Sequence, residues 1–175
     1  MKKSDKAKEI IIYTDGSCLR NPGAGGYGVV LLYEDRREEL QGGYRRTTNN
    51  RMEIMAAIKG LQALTNDGSI VRVYSDSRYL VNSMSKRWAH SWQRKGWKKR
   101  YGKPCANIDL WAELLILCKR HKVTFEWIRG HSGNVENRRC DSLAYAACKQ
   151  GNLAIDEGYV ASKSPNSRLS NLTFP

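Results

Sequence analysis

The chain has 175 residues, within the ~100–200 of one compact domain. Its 41% hydrophobic and 27% charged residues exclude a disordered chain. Apolar runs such as Val29–Tyr33 and Leu114–Cys118 fall far short of the ~20 residues of a membrane span, and Ile10–Ile12 is too short for a secretory signal. Thirty Lys and Arg against 17 Asp and Glu give a net charge of +13, a balance that favours a polyanion partner, most often nucleic acid.

The first eight residues are polar and are expected to fray. Residues 9–14, rich in Ile and aromatic character, predict a strand. A second strand is expected over 25–33, a tight turn at Glu34-Asp35, and a returning strand over 36–45. Residues 49–64 change to a helical period, with Ile54, Ile58 and Leu61 at spacings of four and three. Ile70–Tyr74 reads as a strand, and Ser75-Asp76-Ser77 as the start of a helix over 79–84. Residues 86–103 form a basic insert, followed by an amphipathic helix over 109–119 and a fifth strand over 123–128. A Gly-His-Ser-Gly loop then leads to a last helix over 136–149. The order describes an α/β domain with a mixed five-stranded sheet flanked by helices. We expect the domain to run over 9–150, with 151–175 a polar, poorly ordered tail.

Five cysteines, Cys18, Cys105, Cys118, Cys140 and Cys148, include no C-x-x-C pair. They read as reduced thiols of a cytoplasmic protein. Gly23-Ala24-Gly25-Gly26-Tyr27-Gly28 matches a dinucleotide-loop pattern, but that loop must open a helix whose N-terminus meets the pyrophosphate. Here the glycines run into a strand and read as a turn entering it.

Asp15 and Asp76 close similar segments, Tyr13-Thr14-Asp15-Gly16-Ser17 and Tyr74-Ser75-Asp76-Ser77. If their strands are parallel neighbours, both carboxylates emerge at the strand ends, where open α/β sheets place their sites. Asp15-Gly16 reads equally as a hairpin turn, and Asp76 as a helix cap. Glu53 shares a helix row with Ala57, Gly60 and Leu64, whose small members would let the helix approach the sheet. It also fits a capping box with Asn50. Asp141 alone carries little signal. Were the four to converge, mutual repulsion would demand a cation, and an all-carboxylate set suits Mg²⁺ or Mn²⁺. Two ions ~4 Å apart would then clamp the attacking and leaving oxygens of a phosphodiester.

Five segments in order resemble the bacterial form of the type 1 ribonuclease H family. They are Tyr-Thr-Asp-Gly-Ser-Cys at 13–18, Thr-Thr-Asn-Asn-Arg-Met-Glu at 47–53, Tyr-Ser-Asp-Ser at 74–77, Trp-Ile-Arg-Gly-His-Ser-Gly at 127–133 and Asn-Arg-Arg-Cys-Asp at 137–141. The resemblance implies a ribonuclease H-like fold with a basic handle. It implies a two-metal-ion endoribonuclease cutting the RNA strand of RNA–DNA hybrids and leaving 5′-phosphate and 3′-hydroxyl ends. Asp15, Glu53, Asp76 and Asp141 would be ligands of two Mg²⁺ ions, with Mn²⁺ a possible substitute, and His131 would aid proton transfer or product release.

Cys18, Asn21, Asn49 and Asn50 match positions that touch the minor groove, where 2′-hydroxyls are displayed. Arg46 and Thr48 match a pocket for a DNA-strand phosphate, and Tyr79, Asn82, Trp88 and Trp92 would flank the DNA-strand channel. Arg78 stands where many relatives carry Gln. The insert holds eight basic and no acidic residues from Lys86 to Lys103, and Lys98, Lys99 and Arg100 would bind phosphates from its rim. A monomer acting on hybrids is expected. The rival readings are a DNA-directed nuclease on the same fold, integrase- or resolvase-like, and a non-catalytic hybrid-binding module.

Overall fold

The computed structural model describes residues 9–130 and 132–164. The fraying expected of residues 1–8, and the tail beyond 164, lie outside the described residues. Three antiparallel strands come first: β1 (Glu9–Cys18), β2 (Gly23–Tyr33) and β3 (Arg36–Thr47). Then follow α1 (Asn49–Gln62), β4 (Ile70–Ser75), α2 (Arg78–Ser85), α3 (Trp88–Arg94), α4 (Ile108–Lys119), β5 (Lys122–Trp127), α5 (Val135–Cys148) and α6 (Glu157–Lys163). The sheet order is β3-β2-β1-β4-β5, with β4 parallel to both β1 and β5. This is the mixed α/β sheet expected from the sequence.

Strand alternation divides the core between the two faces of the sheet. Ile12 and Val29 join α1 and α4 in the larger cluster, where Ile54, Ile58, Leu61, Trp111 and Leu114 are fully buried. Their neighbours Tyr13 and Val30 point the other way, onto Cys140 and Leu143 of α5. The small residues of the Glu53 row act as expected. Ala57 is fully buried, and a Cβ on Gly60 would stand 2.7 Å from Ile12 Cγ2.

Three expectations need correction. β1 does not end at Asp15 but continues to Cys18, paired with β2 throughout. The glycines at 23–28 are not a turn but part of β2. Their smallness serves helix packing: a Cβ on Gly28 would collide with the Cys140 carbonyl oxygen, and one on Gly26 with that of Ala144. The third correction is the tail. Residues 151–164 dock on the domain, with α6 capped by Asp156 and Tyr159 only 6% exposed. Arg51 holds Asp156 through Nε (2.7 Å) and Nη2 (2.8 Å) and grips Asp109 with both terminal nitrogens, while Thr47 donates to Asp156 at 2.6 Å. The segment 151–164 has almost no hydrophobic period, so its anchor escapes a reading of local pattern.

Candidate active site

Register brings the first two carboxylates together. β1 and β4 pair as far as Thr14 and Ser75, so Asp15 and Asp76 are the next residue on each. Tyr13 and Tyr74, one step earlier, stack with centroids 5.0 Å apart. Asp15-Gly16 is therefore not a hairpin turn. Gly16 is small for another reason: a Cβ there would run into the backbone of Met52 and Glu53. That close approach delivers Glu53 to the strand end. Thr48 is the N-cap of α1 and accepts from Arg51 N, which makes Arg51 the third helical residue and leaves Glu53 outside the capping box.

Asp15, Glu53 and Asp76 each offer an oxygen within 4.8 Å of the others. Asp15 and Glu53 are 7% and 6% exposed. Gly16 N donates to Asp15 Oδ1 (2.8 Å), Asn49 Nδ2 to Glu53 Oε1 (3.3 Å) and Asn137 Nδ2 to Asp76 Oδ2 (3.4 Å). Burial, then the charges of Asp76 and Asp141, push the Asp15 carboxyl up to about 8. Burial and the same crowding, from Asp15 and Asp76, hold Glu53 well above the ordinary carboxylate range. Asp141, on α5, thus acts on Asp15 electrostatically but stands outside the tight group of three.

The residues fit a divalent cation. Glu53 Oε2 is buried and has no hydrogen-bond partner among the described residues, and a buried carboxylate oxygen needs a donor or a cation. Without metal, Asp15 keeps its proton to about pH 8 in the folded state and loses it near 4 when unfolded. The folded state then binds more protons across that window, so this site's contribution to stability falls as pH rises from 4 to 8. In chelator, Asp15→Asn should melt above wild type, by a margin that widens from pH 5 to pH 8. A constant margin would show that neither burial nor its neighbours raise the Asp15 carboxyl.

The surrounding contacts divide. Asn21 Oδ1 accepts from Asn49 N at 3.2 Å, tying the β1–β2 loop to the start of α1. Cys18 is half-buried there, Asn50 and Arg46 are exposed, and Asn82 is half-buried on α2. The Arg78 guanidinium sits 4.0 Å above the Trp127 ring, whose Nε1 donates to the Asp76 carbonyl. Trp88 and Trp92 share α3 but not burial. Trp88 is 43% exposed, whereas Trp92 packs edge-on against Trp111, which also donates to the Tyr79 hydroxyl. Lys98 and Arg100 are exposed, and Lys99 lies over Trp92. His131 falls outside the described residues. Asn137, 3% exposed beside Asp76, belongs to the Asn-Arg-Arg-Cys-Asp segment, and no site role is expected for it from the sequence. Its position as the third residue of α5, four before Asp141 on the same face, was the available signal.

The family model described as RNase H matches residues 7–149. The chain belongs to the ribonuclease H family. It is 57% identical over 155 residues to a ribonuclease H of Syntrophus aciditrophicus, covering 89% of each chain. It is 52% identical over 151 residues to a ribonuclease HI of Synechocystis sp., covering 86% of this chain and 94% of the relative. Among solved structures, LC9-RNase H1, a type 1 RNase H with the type 2 active-site motif, superposes with a TM-score of 0.73 at 31% identity, covering 94% of this chain and 85% of that one. LC11-RNase H1, solved in complex with an RNA/DNA hybrid, aligns at a TM-score of 0.58 and 25% identity, over 86% of this chain and 99% of its own. Membership of the ribonuclease H family makes this a metal-dependent hydrolase and accounts for its carboxylate cluster. No described helix is long and apolar enough to cross a membrane.

Proposed function

We propose that Asp15, Glu53, Asp76 and Asp141 hold two divalent cations, Mg²⁺ in the cell with Mn²⁺ able to substitute. The protein is an endoribonuclease that hydrolyses the RNA strand of RNA–DNA hybrids, leaving 5′-phosphate and 3′-hydroxyl ends. The observation that carries the metal assignment is the convergence of three carboxylates with a partnerless buried Glu53 oxygen. Bound cations would supply Lewis-acid stabilisation of the charge that builds on the scissile phosphate. The chain's own residues do the rest. Gly16 N and Asn49 orient Asp15 and Glu53, and Asn137 steadies Asp76. His131 moves the proton or speeds product release, work that suits an imidazole near neutral pH.

Cys18, Asn21, Asn49 and Asn50 face the minor groove in this reading. Arg46 and Thr48 take a DNA-strand phosphate, and Arg78, Tyr79, Asn82, Trp88 and Trp92 line the DNA-strand channel. The burial of Trp92 against Trp111 gives it a supporting role there. We read the protein as a cytoplasmic monomer.

A labelled hybrid, duplex DNA and duplex RNA, each with and without chelator, test the reading. Only the RNA strand of the hybrid should be cut. Chelator should abolish cleavage, Mg²⁺ should restore it, and Ca²⁺ should bind with little turnover because its coordination is looser. Cleavage in excess chelator would overturn the metal assignment, and cutting of duplex DNA the substrate assignment.

The handle gives a separate expectation. Replacing Lys98, Lys99 and Arg100 together with Gln removes phosphate contacts that carry no sequence information. The log-affinity against log-salt plot should flatten by roughly one to three units, at ~0.9 per lost contact. KM should rise on every hybrid sequence with kcat nearly unchanged. An unaltered slope and KM would reduce this rim to a solvated face.

A further inference from the structure

We infer that α6 and the end of β3 form an additional phosphate subsite for the DNA strand of the hybrid, built by Lys163 and Ser164 beside Arg46. Arg46, Tyr159, Val160, Lys163 and Ser164 line an open cavity of about 570 Å³. Two of these five residues are cations and none is acidic. Arg37, Arg72, Arg120 and Arg139, elsewhere on the surface, each meet a carboxylate within 3.5 Å. Among the described residues, Arg46 and Lys163 have no carboxylate partner. Two like charges facing one cavity repel each other, and an anion between them removes that cost.

The cations are also held in place. Thr47, next to Arg46 in the chain, donates to Asp156, which caps α6 and is clamped by buried Arg51. The backbone is tied as well, with Arg45 N donating to the Ala154 carbonyl at 2.9 Å. The subsite therefore sits on two elements fixed to each other rather than on a loose terminus. The Lys163 ammonium lies 5.5 Å from the Tyr159 ring, and half-exposed Val160 supplies an apolar wall. A phosphodiester suits this set: the Arg fork binds two oxygens, Lys adds a point charge, and a deoxyribose can rest on Val160.

The inference rests on Arg46 being a phosphate contact and adds α6, which lies beyond the residues 7–149 matched by the family model. Arg46→Gln and Lys163→Gln in the full chain, with melting checked, separate the two claims. Lys163→Gln should melt like wild type, because the side chain is exposed. It should flatten the salt slope of hybrid binding by ~0.9. Its affinity deficit should therefore shrink about threefold between 50 and 200 mM salt, with kcat unchanged. Lys163→Arg should restore both slope and affinity. If Arg46→Gln flattens the slope and Lys163→Gln does not, the α6 subsite is wrong and the Arg46 assignment stands. If neither variant alters the slope, both assignments fall.

Discussion

Asp15→Asn is expected to lower kcat for hybrid cleavage on the order of 10³-fold or more, while hybrid affinity stays close to wild type. Asp76→Asn should do the same. The loss exceeds that of a single neutral hydrogen-bond donor to a transition state, worth about 10²–10³-fold, because a charged carboxylate is removed from the proposed metal site. Both side chains belong to the group whose oxygens lie within 4.8 Å of one another. Neither belongs to the basic surface proposed to grip phosphates, so substrate binding should survive. Single-turnover cleavage in Mg²⁺, beside hybrid binding measured in Ca²⁺, separates the two quantities. Near-normal turnover of either variant would return that residue to a structural role. A fall in affinity matching the fall in rate would place it in substrate binding instead.

Asp156→Ala should cost about 3–5 kcal/mol of stability, the scale for breaking a buried ion pair. Arg51 and Asp156 are each 3% exposed. Removing the carboxylate leaves the guanidinium with Asp109 alone, strips Thr47 of its acceptor and uncaps α6. Burial raises the Asp156 carboxyl, but hydrogen bonds from Arg51 and Thr47 outweigh it and hold the group below the ordinary range. The stability it contributes is present above the unfolded value near 3.8 and is lost as pH falls through the lower folded value. The control is Asp67→Ala. Asp67 pairs with Arg120 at 2.7 Å, but both are exposed, so the loss should stay within ~1 kcal/mol. Denaturant midpoints of the two variants decide the matter. Equal and small losses would mean that the 151–164 segment adds nothing to the fold.

The contrast between these two regions explains what could be read in advance. The helices α1 and α4 and the strand β4 were legible because each buries a face several turns or pleats long, and burial of that length leaves a period in the chain. Asp15, Glu53, Asp76 and Asp141 stood out through their motifs and their order along the chain, and the resemblance to a known family rested on the same segments. Net charge pointed to a polyanion for the same reason, since it is a sum over residues and needs no fold.

Tertiary structure alone decided the rest, because each remaining feature depends on contacts far apart in the chain. The ambiguity of Asp15-Gly16 between turn and site ended only when β1 lay beside β4 and α1 came against Gly16. Gly26 and Gly28 of β2 found their purpose in the backbone of α5, more than a hundred residues away. Trp88 and Trp92, alike in sequence, parted because only Trp92 meets Trp111. The order of 151–164 rests on the pairing of Arg51 with Asp156, an interaction between two charged side chains that leaves no hydrophobic pattern along either segment. Local composition and period determine which elements form and which residues can do chemistry. Burial and close approach between distant segments determine which of those residues meet.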